Sequence, residues 1–420
     1  MKAVKRGRLT YEDIQNLPEL KYENPKRPSF LLRTLIKIIS LPELWSTKFK
    51  CKKVGLERLK RGEPCLILMN HSCFLDLKIA ESVFYPKPFC IVSTYDAFIG
   101  KKWLMRNLGC IPTKKFVTDI RLVKDMQYAL SKLKCSVLMY PEVGYSFDGT
   151  STVLPDSLGK CIKLLKVPVL MLKTDGAFLH QPLYNELRLR KVKVSATLEY
   201  LLSKEDVEQK SADELLGIVK EQFSFDGFRL QQEKGVLVTE SERATGLHRV
   251  LYRCPHCNAE NTEGTGTKLV CRACGKEYEL TEQGFMRALS GNTEIEHIPD
   301  WYKWERECVK KELLSGSYRM EMPVDVRVLA DTKSLYYLGE GVLTHTKDGF
   351  VLKGEDFEYT QSPTASYSLN SDFYWYETGD VICIGTGRLQ YCLFVKNGAP
   401  VAKARLAAEE LYKLKKEGKI

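Results

Sequence analysis

The chain has 420 residues, is 44% hydrophobic and 28% charged, and carries a formal net charge of +11. That composition is globular and excludes a disordered chain, and the length calls for more than one domain. The positive balance favours an acidic partner: anionic lipid, nucleic acid, or a phosphorylated or CoA-bearing substrate.

Residues 1–48 read as an arm and an amphipathic helix. The start, Met1 to Arg8, is polar with no apolar core behind it, so no signal peptide is expected. No run approaches the ~18 apolar residues of a membrane span. With Pro18, Pro25 and Pro28, the first 28 residues read as a loose arm. Phe30 to Ile39 is helical and strongly apolar, with Arg33 and Lys37 one turn apart. It reads either as an interfacial helix with basic residues at lipid headgroups or as a core helix of the next domain.

Residues 49–248 alternate strands and helices. Strand candidates are the apolar run Pro64 to Met69, Phe89 to Ser93, Ser136 to Tyr140 and Val167 to Leu172, with helical patterns between them such as Asp119 to Leu133. This predicts an α/β domain with a mostly parallel sheet and flanking helices. Val192 to Leu198 alternates and reads as an edge strand, and Ser211 to Glu214 opens a helix with a capping box.

Within this domain, Asn70-His71-Ser72-Cys73-Phe74-Leu75-Asp76 follows the first apolar run and precedes a helical pattern. A histidine and a carboxylate thus sit at a strand-to-helix turn, where α/β proteins expose catalytic groups. Imidazole accepts a hydroxyl proton near neutral pH, and a carboxylate fixes its tautomer and stabilises the imidazolium. Cys73 as a nucleophile beside that histidine is the rival enzymatic reading. A second turn, Tyr140-Pro141-Glu142-Val143-Gly144-Tyr145-Ser146-Phe147-Asp148-Gly149, follows another strand candidate, and its Asp148-Gly149 reads as turn chemistry. Gly109-Cys110-Ile111-Pro112-Thr113-Lys114-Lys115 ends in a basic pair that reads as a phosphate clamp or a solvated surface pair.

Residues 249–282 read as a zinc ribbon. Cys254-Pro255-His256-Cys257, thirteen residues, then Cys271-Arg272-Ala273-Cys274 is two-knuckle spacing. Cys254, Cys257, Cys271 and Cys274 would close a tetrahedron around a structural zinc, with His256 spare and no redox or organic cofactor expected. Lys268 to Val270 and Glu277 to Leu280 read as its strands. So short a segment would take its folding energy from the metal. The other ten of the 14 cysteines lie singly in apolar surroundings, as buried reduced thiols do in cytosolic chains.

Residues 283–318 read as a helical linker carrying Trp301, Trp304 and Arg306. Residues 319–420 are β-rich, with seven strand candidates: Val324 to Leu329, Ser334 to Leu338, Gly341 to Thr346, Gly349 to Leu352, Phe373 to Glu377, Val381 to Ile384 and Gln390 to Val395. Lys347-Asp348-Gly349 and Lys396-Asn397-Gly398 mark turns. A closing helix, Ala402 to Lys416, presents Leu406, Leu411 and Leu414 on one face. By element order alone this part resembles a pleckstrin-homology-like domain.

The segments at Asn70, Gly109, Tyr140 and Val167, in this order and spacing, resemble the glycerolipid (1-acylglycerol-3-phosphate-type) acyltransferase family over roughly residues 50–210. The family's first motif, Asn-His, four residues, Asp, is matched fully. Its third, Phe-Pro-Glu-Gly-Thr-Arg-Ser, matches at Pro141, Glu142 and Ser146, with Tyr140 for phenylalanine, Val143 at the glycine and Tyr145 at the arginine. The resemblance implies O-acyl transfer from acyl-CoA or acyl-carrier protein to a lysophospholipid or related lipid hydroxyl. His71 would be the general base, oriented by Asp76, with no acyl-enzyme. Glu142, Gly144, Ser146, Lys114 and Lys115 would bind substrate. In the family, the cationic positions hold the acceptor's phosphate. Lysine binds phosphate without a bidentate fork, and Tyr145 is uncharged at neutral pH, so the acceptor stays open. The expected setting is cytoplasmic, peripheral at the inner membrane face. Nucleic acid is argued against, because no basic-aromatic patch accompanies the knuckles. The alternative is a catalytically silent lipid- or partner-binding protein that uses the ribbon and the β-domain.

Overall fold

Residues 6–117, 119–396 and 398–420 are described by the computed structural model. Met1 to Lys5, part of the signal-peptide reading, and Asn397 of the Lys396-Asn397-Gly398 turn signal lie outside the described residues.

The N-terminal segment is anchored at many points. Strand β1 (Arg6–Arg8) pairs in parallel with a strand at Leu335–Thr346. In the helix that follows, Tyr11–Gln15, Thr10 and Asp13 each accept the other's backbone N–H. Ile14 is fully buried, and the Tyr11 hydroxyl meets that of Tyr391 at 2.8 Å. Glu23 then pairs with Lys102 at 2.6 Å and Arg106 at 3.0 Å. Polar composition concealed this, because backbone pairing and one buried isoleucine require no apolar run.

Seven strands form the α/β sheet: β2 (Lys50–Val54), β3 (Leu66–Met69), β4 (Phe89–Thr94), β5 (Cys110–Thr113), β6 (Ser136–Met139), β7 (Val169–Asp175) and β8 (Ser195–Leu202). Their spatial order is β2-β8-β7-β3-β6-β4-β5. β3 to β7 run parallel, whereas β8 is antiparallel to β7 and carries β2 parallel to itself. Every residue of β3 is buried, as expected for a parallel strand covered on both faces. Helices Phe30–Ser46 and Leu75–Phe84 pack on one face around Leu44, Ile79 and Ile67. Helices Ile120–Ser131, Ser157–Leu165 and Ala212–Gln222 cover the other around Met126, Ile162 and Leu215. Gly159 allows the last two to touch, because a Cβ there would come within 2.0 Å of the Ala212 carbonyl oxygen.

The segment expected as an edge strand is interior: β8 lies between β2 and β7. The edge is β2, whose Lys50, Lys52 and Lys53 masked it as a strand and blunt it against further pairing. In the Phe30–Ser46 helix, Leu31, Leu35, Ile38 and Ile39 are exposed. Arg33 is not at a headgroup position; it is buried and pairs with Glu81 at 2.8 Å.

The ribbon sheet runs β12-β11-β10-β9, from β9 (Thr262–Thr265), β10 (Lys268–Cys271), β11 (Glu277–Leu280) and β12 (Met286–Ala288). The helical linker expected across 283–318 therefore begins as a helix only at Ile298 and ends at Ser315, because β12 continues the ribbon. Trp301 on that helix is fully buried, donates to the Arg253 carbonyl at 2.9 Å, and meets the Tyr278 ring edge-on.

The C-terminal part is a sheet of β13 (Arg319–Leu329), β14 (Leu335–Thr346), β15 (Gly349–Gly354), β16 (Glu358–Gln361), β17 (Asn370–Asp372), β18 (Val381–Ile384) and β19 (Gln390–Val395), ordered β16-β15-β14-β13-β19-β18-β17. Two candidate strands fuse into β14, and β16 went unread. Phe373 to Glu377 is not a strand. It is a tight turn with Tyr376 at φ 49° and Glu377 at φ 59°, left-handed values that end an extended run. The closing helix, Val401–Lys416, is buried on every side from Val401 to Leu411, not on one face. Its charges are paired: Lys403 with Glu260 (2.7 Å) and Glu312 (3.1 Å), and Glu409 with Arg306 (2.7 Å) and Arg405 (3.2 Å). Burial pushes the Glu409 carboxyl up, but the two arginines and the Ser368 hydroxyl outweigh it and hold it at about 2.

Candidate active site and metal centre

β3 and β6 are neighbours whose following helices lie on opposite faces of the sheet. That leaves a crevice beyond their carboxyl ends, the place where open α/β sheets bind ligands. The Asn70–Asp76 turn leaves β3 there, and the Tyr140–Gly149 turn leaves β6. A cavity of about 1360 Å³ opens over both. Its walls are largely apolar, with Ile36, Ile39, Phe74, Leu77 and Ile91 among them.

His71 is about one-fifth exposed, and its Nδ1 lies 3.1 Å from Asp76 Oδ2. Asp76 is fully buried in the first turn of its helix, and the same oxygen accepts the backbone N–H groups of Ser72 (2.6 Å) and Cys73 (3.0 Å). One carboxylate thus folds the turn and orients the imidazole. With Nδ1–H donated to Asp76, Nε2 keeps its lone pair. The ring lies between two tyrosines, stacked on Tyr140 (centroids 4.0 Å) and tilted against Tyr145 (4.4 Å). Asn70 clamps the preceding strand end to β7: its Oδ1 accepts the Thr174 N–H at 2.8 Å, and its Nδ2 donates to the Thr174 carbonyl at 3.2 Å.

Glu142 is fully buried, and its two oxygens accept the backbone N–H groups of His71 (2.9 Å) and Thr152 (2.8 Å). It ties the two turns together and does not line the cavity. Burial pushes its carboxyl up to about 8, against the downward pull of those N–H groups. Ser146 is also buried; it donates to the Thr150 carbonyl at 2.6 Å and accepts the Gly149 N–H at 3.0 Å. Glu142 and Ser146, expected to bind substrate, therefore brace the loop. Gly144 does face the cavity. Lys114 and Lys115 line it at the end of β5, and Lys114 Nζ donates to the Gly387 carbonyl at 2.8 Å. Asp148 is buried turn chemistry, accepting from Thr150 N at 3.1 Å and Oγ1 at 2.8 Å.

The Cys73 thiol is fully buried and donates to the Ala177 carbonyl at 3.5 Å. Burial, with Asp76 nearby, pushes it far from the thiolate form a nucleophile needs.

Sequence reasoning missed the C-terminal contribution. Asp372, Tyr374, Trp375 and Tyr376 also line the cavity, and the Tyr376 hydroxyl donates to Asp96 Oδ2 at 3.0 Å. The turn after β17 carries no motif, and only the tertiary fold places it opposite β4.

The sulfurs of Cys254, Cys257, Cys271 and Cys274 lie within 4.8 Å of one another, with Cys254–Cys274 at 3.9 Å and Cys257–Cys271 at 3.6 Å. Those separations suit tetrahedral Zn–S bonds of about 2.3 Å. Burial pushes the Cys254 thiol up, and the backbone N–H groups of His256 and Cys257 that point at its sulfur pull the other way, as those of Ala273 and Cys274 do at Cys271. The spare histidine, His256, pairs with Glu294 at 2.9 Å. The donor set therefore fits a closed, structural four-thiolate site.

Among the described residues, no helix is long and apolar enough to cross a membrane. Residues 50–170 match the family model described as Acyltransferase. Among solved structures, the chain is similar to the 1-acyl-sn-glycerophosphate (LPA) acyltransferase PlsC from Thermotoga maritima, at 17% identity and a TM-score of 0.35, over 46% of this chain and 76% of that one. No curated protein matches.

Proposed function

We propose that the chain is an O-acyltransferase moving a fatty acyl group from a thioester, acyl-CoA or acyl-carrier protein, to the hydroxyl of a lysophospholipid or related lipid, with His71 as general base; the match of residues 50–170 to the Acyltransferase family model supports this reading. The observation that carries this reading is the His71–Asp76 pair, 3.1 Å apart, at the edge of a large apolar-walled cavity.

His71 Nε2 takes the proton as the acceptor oxygen attacks the thioester carbonyl carbon. The tetrahedral intermediate collapses, expels the thiolate, and the imidazolium returns the proton to sulfur. Asp76 keeps the ring in one tautomer and stabilises its positive charge. Glu142 and Asn70 hold the turn without touching substrate. Zinc, held by the four cysteines, would be structural: a closed thiolate set leaves no open position for catalysis. The C-terminal sheet, seven antiparallel strands from β13 to β19 followed by a helix, supports a pleckstrin-homology-like module. The exposed Leu31, Leu35, Ile38 and Trp45 along one helix support a peripheral membrane setting.

The test is thiol release from acyl-CoA with a lysolipid panel, the acylated product identified by mass spectrometry. His71→Ala should lower turnover by about 10²–10⁴-fold. Retained turnover in that variant would remove His71 as the base.

A further inference from the structure

We propose that Tyr140 and Tyr145 are positioning residues that stabilise the imidazolium of His71 through their rings and leave only its Nε2 edge open to the acceptor hydroxyl. The inference rests on the acyltransferase reading above and adds two residues to its machinery.

A single turn holds His71 by its backbone and by its ring. The His71 N–H donates to Glu142 Oε2 at 2.9 Å, and the His71 carbonyl accepts the Ser146 N–H at 3.2 Å. Tyr140 and Tyr145 sit on that same turn, so the bonds that place the histidine also place two rings against it. Tyr140 is stacked on the imidazole, with centroids 4.0 Å apart and an interplanar angle of 25°. Tyr145 meets it at 4.4 Å and 55°, and Phe74 backs Tyr145 edge-on at 5.9 Å. Asp76 occupies the Nδ1 edge at 3.1 Å. The side chain is about one-fifth exposed, and the edge left to the cavity carries Nε2.

That enclosure fixes the approach of the acceptor. The Nε2 lone pair lies in the ring plane, so a hydroxyl must arrive edge-on, in line with it. Proton transfer then turns the ring into a cation. An aromatic face is negative and attracts a cation within about 6 Å of its centroid. Both tyrosine centroids lie inside that range. A neutral imidazole gains much less from the same rings. The contact therefore strengthens as the proton moves, which is the condition for lowering the barrier.

Burial pushes both phenols well above their usual range, so they act as neutral rings and not as charges. The other ionisable groups around the turn have partners. Glu142 holds two backbone N–H groups, Glu43 of the Phe30–Ser46 helix is paired with Lys78, and Asp372 of the C-terminal sheet accepts the Tyr374 N–H at 2.8 Å. Asp76 and the two rings are what the imidazolium meets.

The experiment follows the isotope-labelled His71 ring by NMR titration of the full chain, assigned by its loss in His71→Ala, beside pH profiles of acyl-CoA turnover. Tyr140→Leu and Tyr145→Leu should each lower the His71 midpoint by about half a pH unit or more. The acid limb of kcat/KM should move down with it, and kcat and kcat/KM should fall together by about three- to thirtyfold. Tyr140→Phe and Tyr145→Phe restore a ring and should regain the midpoint and most of the rate. Pentafluorophenylalanine at position 145 keeps the ring's shape and reverses the charge of its face, so it should lower the midpoint as leucine does. If a leucine variant fails to fold, the phenylalanine and pentafluorophenylalanine pair still decides. Midpoints unmoved by loss of either ring overturn the inference, as do phenylalanine variants that lose as much as leucine, or a loss confined to KM. Absence of turnover on every lipid while the midpoints move would sink the acyltransferase reading alone.

Discussion

The cysteine ribbon and the catalytic turn each hold a few reactive side chains within bonding range, by opposite means. In the ribbon, four thiols converge from two knuckles, and Leu269, Tyr278, Leu280 and Met286 of the same segment join the core shared with the C-terminal sheet. At the catalytic turn, two buried carboxylates do the holding. Asp76 and Glu142 accept three backbone N–H groups from His71, Ser72 and Cys73 between them, inside a domain with helices on both faces of its sheet. On the metal reading proposed above, the first region owes its shape to a group that binds; the second owes it to its own folded surroundings. The ribbon should therefore respond to metal and the turn to protons.

The largest expected effect is metal removal. Structural zinc contributes on the order of 10 kcal/mol in small four-ligand sites. Chelation, or Cys271→Ser, should unfold residues 254–288, read as loss of amide protection by hydrogen exchange. The α/β sheet, with its own core, should keep its protection. Lys403 links Glu260 of the ribbon to the buried C-terminal helix, so partial loosening there is expected as well. Unchanged protection across the ribbon in metal-free protein would break the comparison.

Next in size is Asp76→Asn. The amide keeps an oxygen for the Ser72 and Cys73 N–H groups, so the turn should fold. The same oxygen also faces His71 Nδ1, so the tautomer is kept, but a neutral amide no longer stabilises the imidazolium, and kcat should fall by about 10²-fold. A loss confined to KM would mean that Asp76 serves binding instead.

Glu142 gives the pH arm. Its folded-state carboxyl is pushed up to about 8 from an ordinary value of 4.5. The folded state therefore binds the extra proton between those values, and stability is full below pH ~4.5 and lost as pH rises through ~8. By linkage the loss is on the order of 5 kcal/mol across that window. Urea midpoints followed against pH should slope downward in the wild type. Glu142→Gln should flatten the slope, whereas the metal-dependent stability of the ribbon should keep its own pH dependence. A wild-type slope that matches the variant's would show that Glu142 does not titrate in this window.

What the sequence made legible follows the same division. Cys254, Cys257, Cys271 and Cys274 were readable because each pair is local, with two residues between its members on one turn. His71 and Asp76 were readable for a similar reason: a single turn carries both. Buried strands such as β3 and β6 announced themselves as apolar runs. What stayed hidden depended on distance. Nothing local marks Glu142 as a backbone brace rather than a substrate ligand, because its partners come from 71 and ten residues away. The turn at Trp375 looked like a strand because its composition is aromatic, and its left-handed residues are set by packing against Tyr95 and Asp96. The closing helix looked one-sided because Lys403, Arg405 and Glu409 are charged, yet paired charges let every face be buried. β2 hid behind its lysines.

The smallest effect is the sharpest contrast between the two regions. Each contains a non-glycine residue held at φ 64°: Asn258 in the ribbon and Val143 in the catalytic loop. Asparagine enters the left-handed region readily, and Asn258 uses it to direct its N–H to the Cys254 carbonyl at 2.8 Å. Valine is β-branched and strained there by about 1–2 kcal/mol. Val143 is held by the bond from its N–H to the Tyr140 carbonyl at 3.0 Å and by the Gly144 N–H closing on the Glu142 carbonyl at 2.7 Å. Val143→Gly should release that strain, less the ~0.5–1 kcal/mol by which glycine stabilises the unfolded chain. The net gain in unfolding free energy should be about 0.5–1 kcal/mol. Asn258→Gly should change stability by no more than a few tenths. Val143→Ala keeps the unfavourable φ and removes two methyl groups, so it should give no gain and separates strain relief from packing. If Val143→Gly destabilises as much as Val143→Ala, the loop is not strained at this position, and its shape comes from the two carboxylates alone.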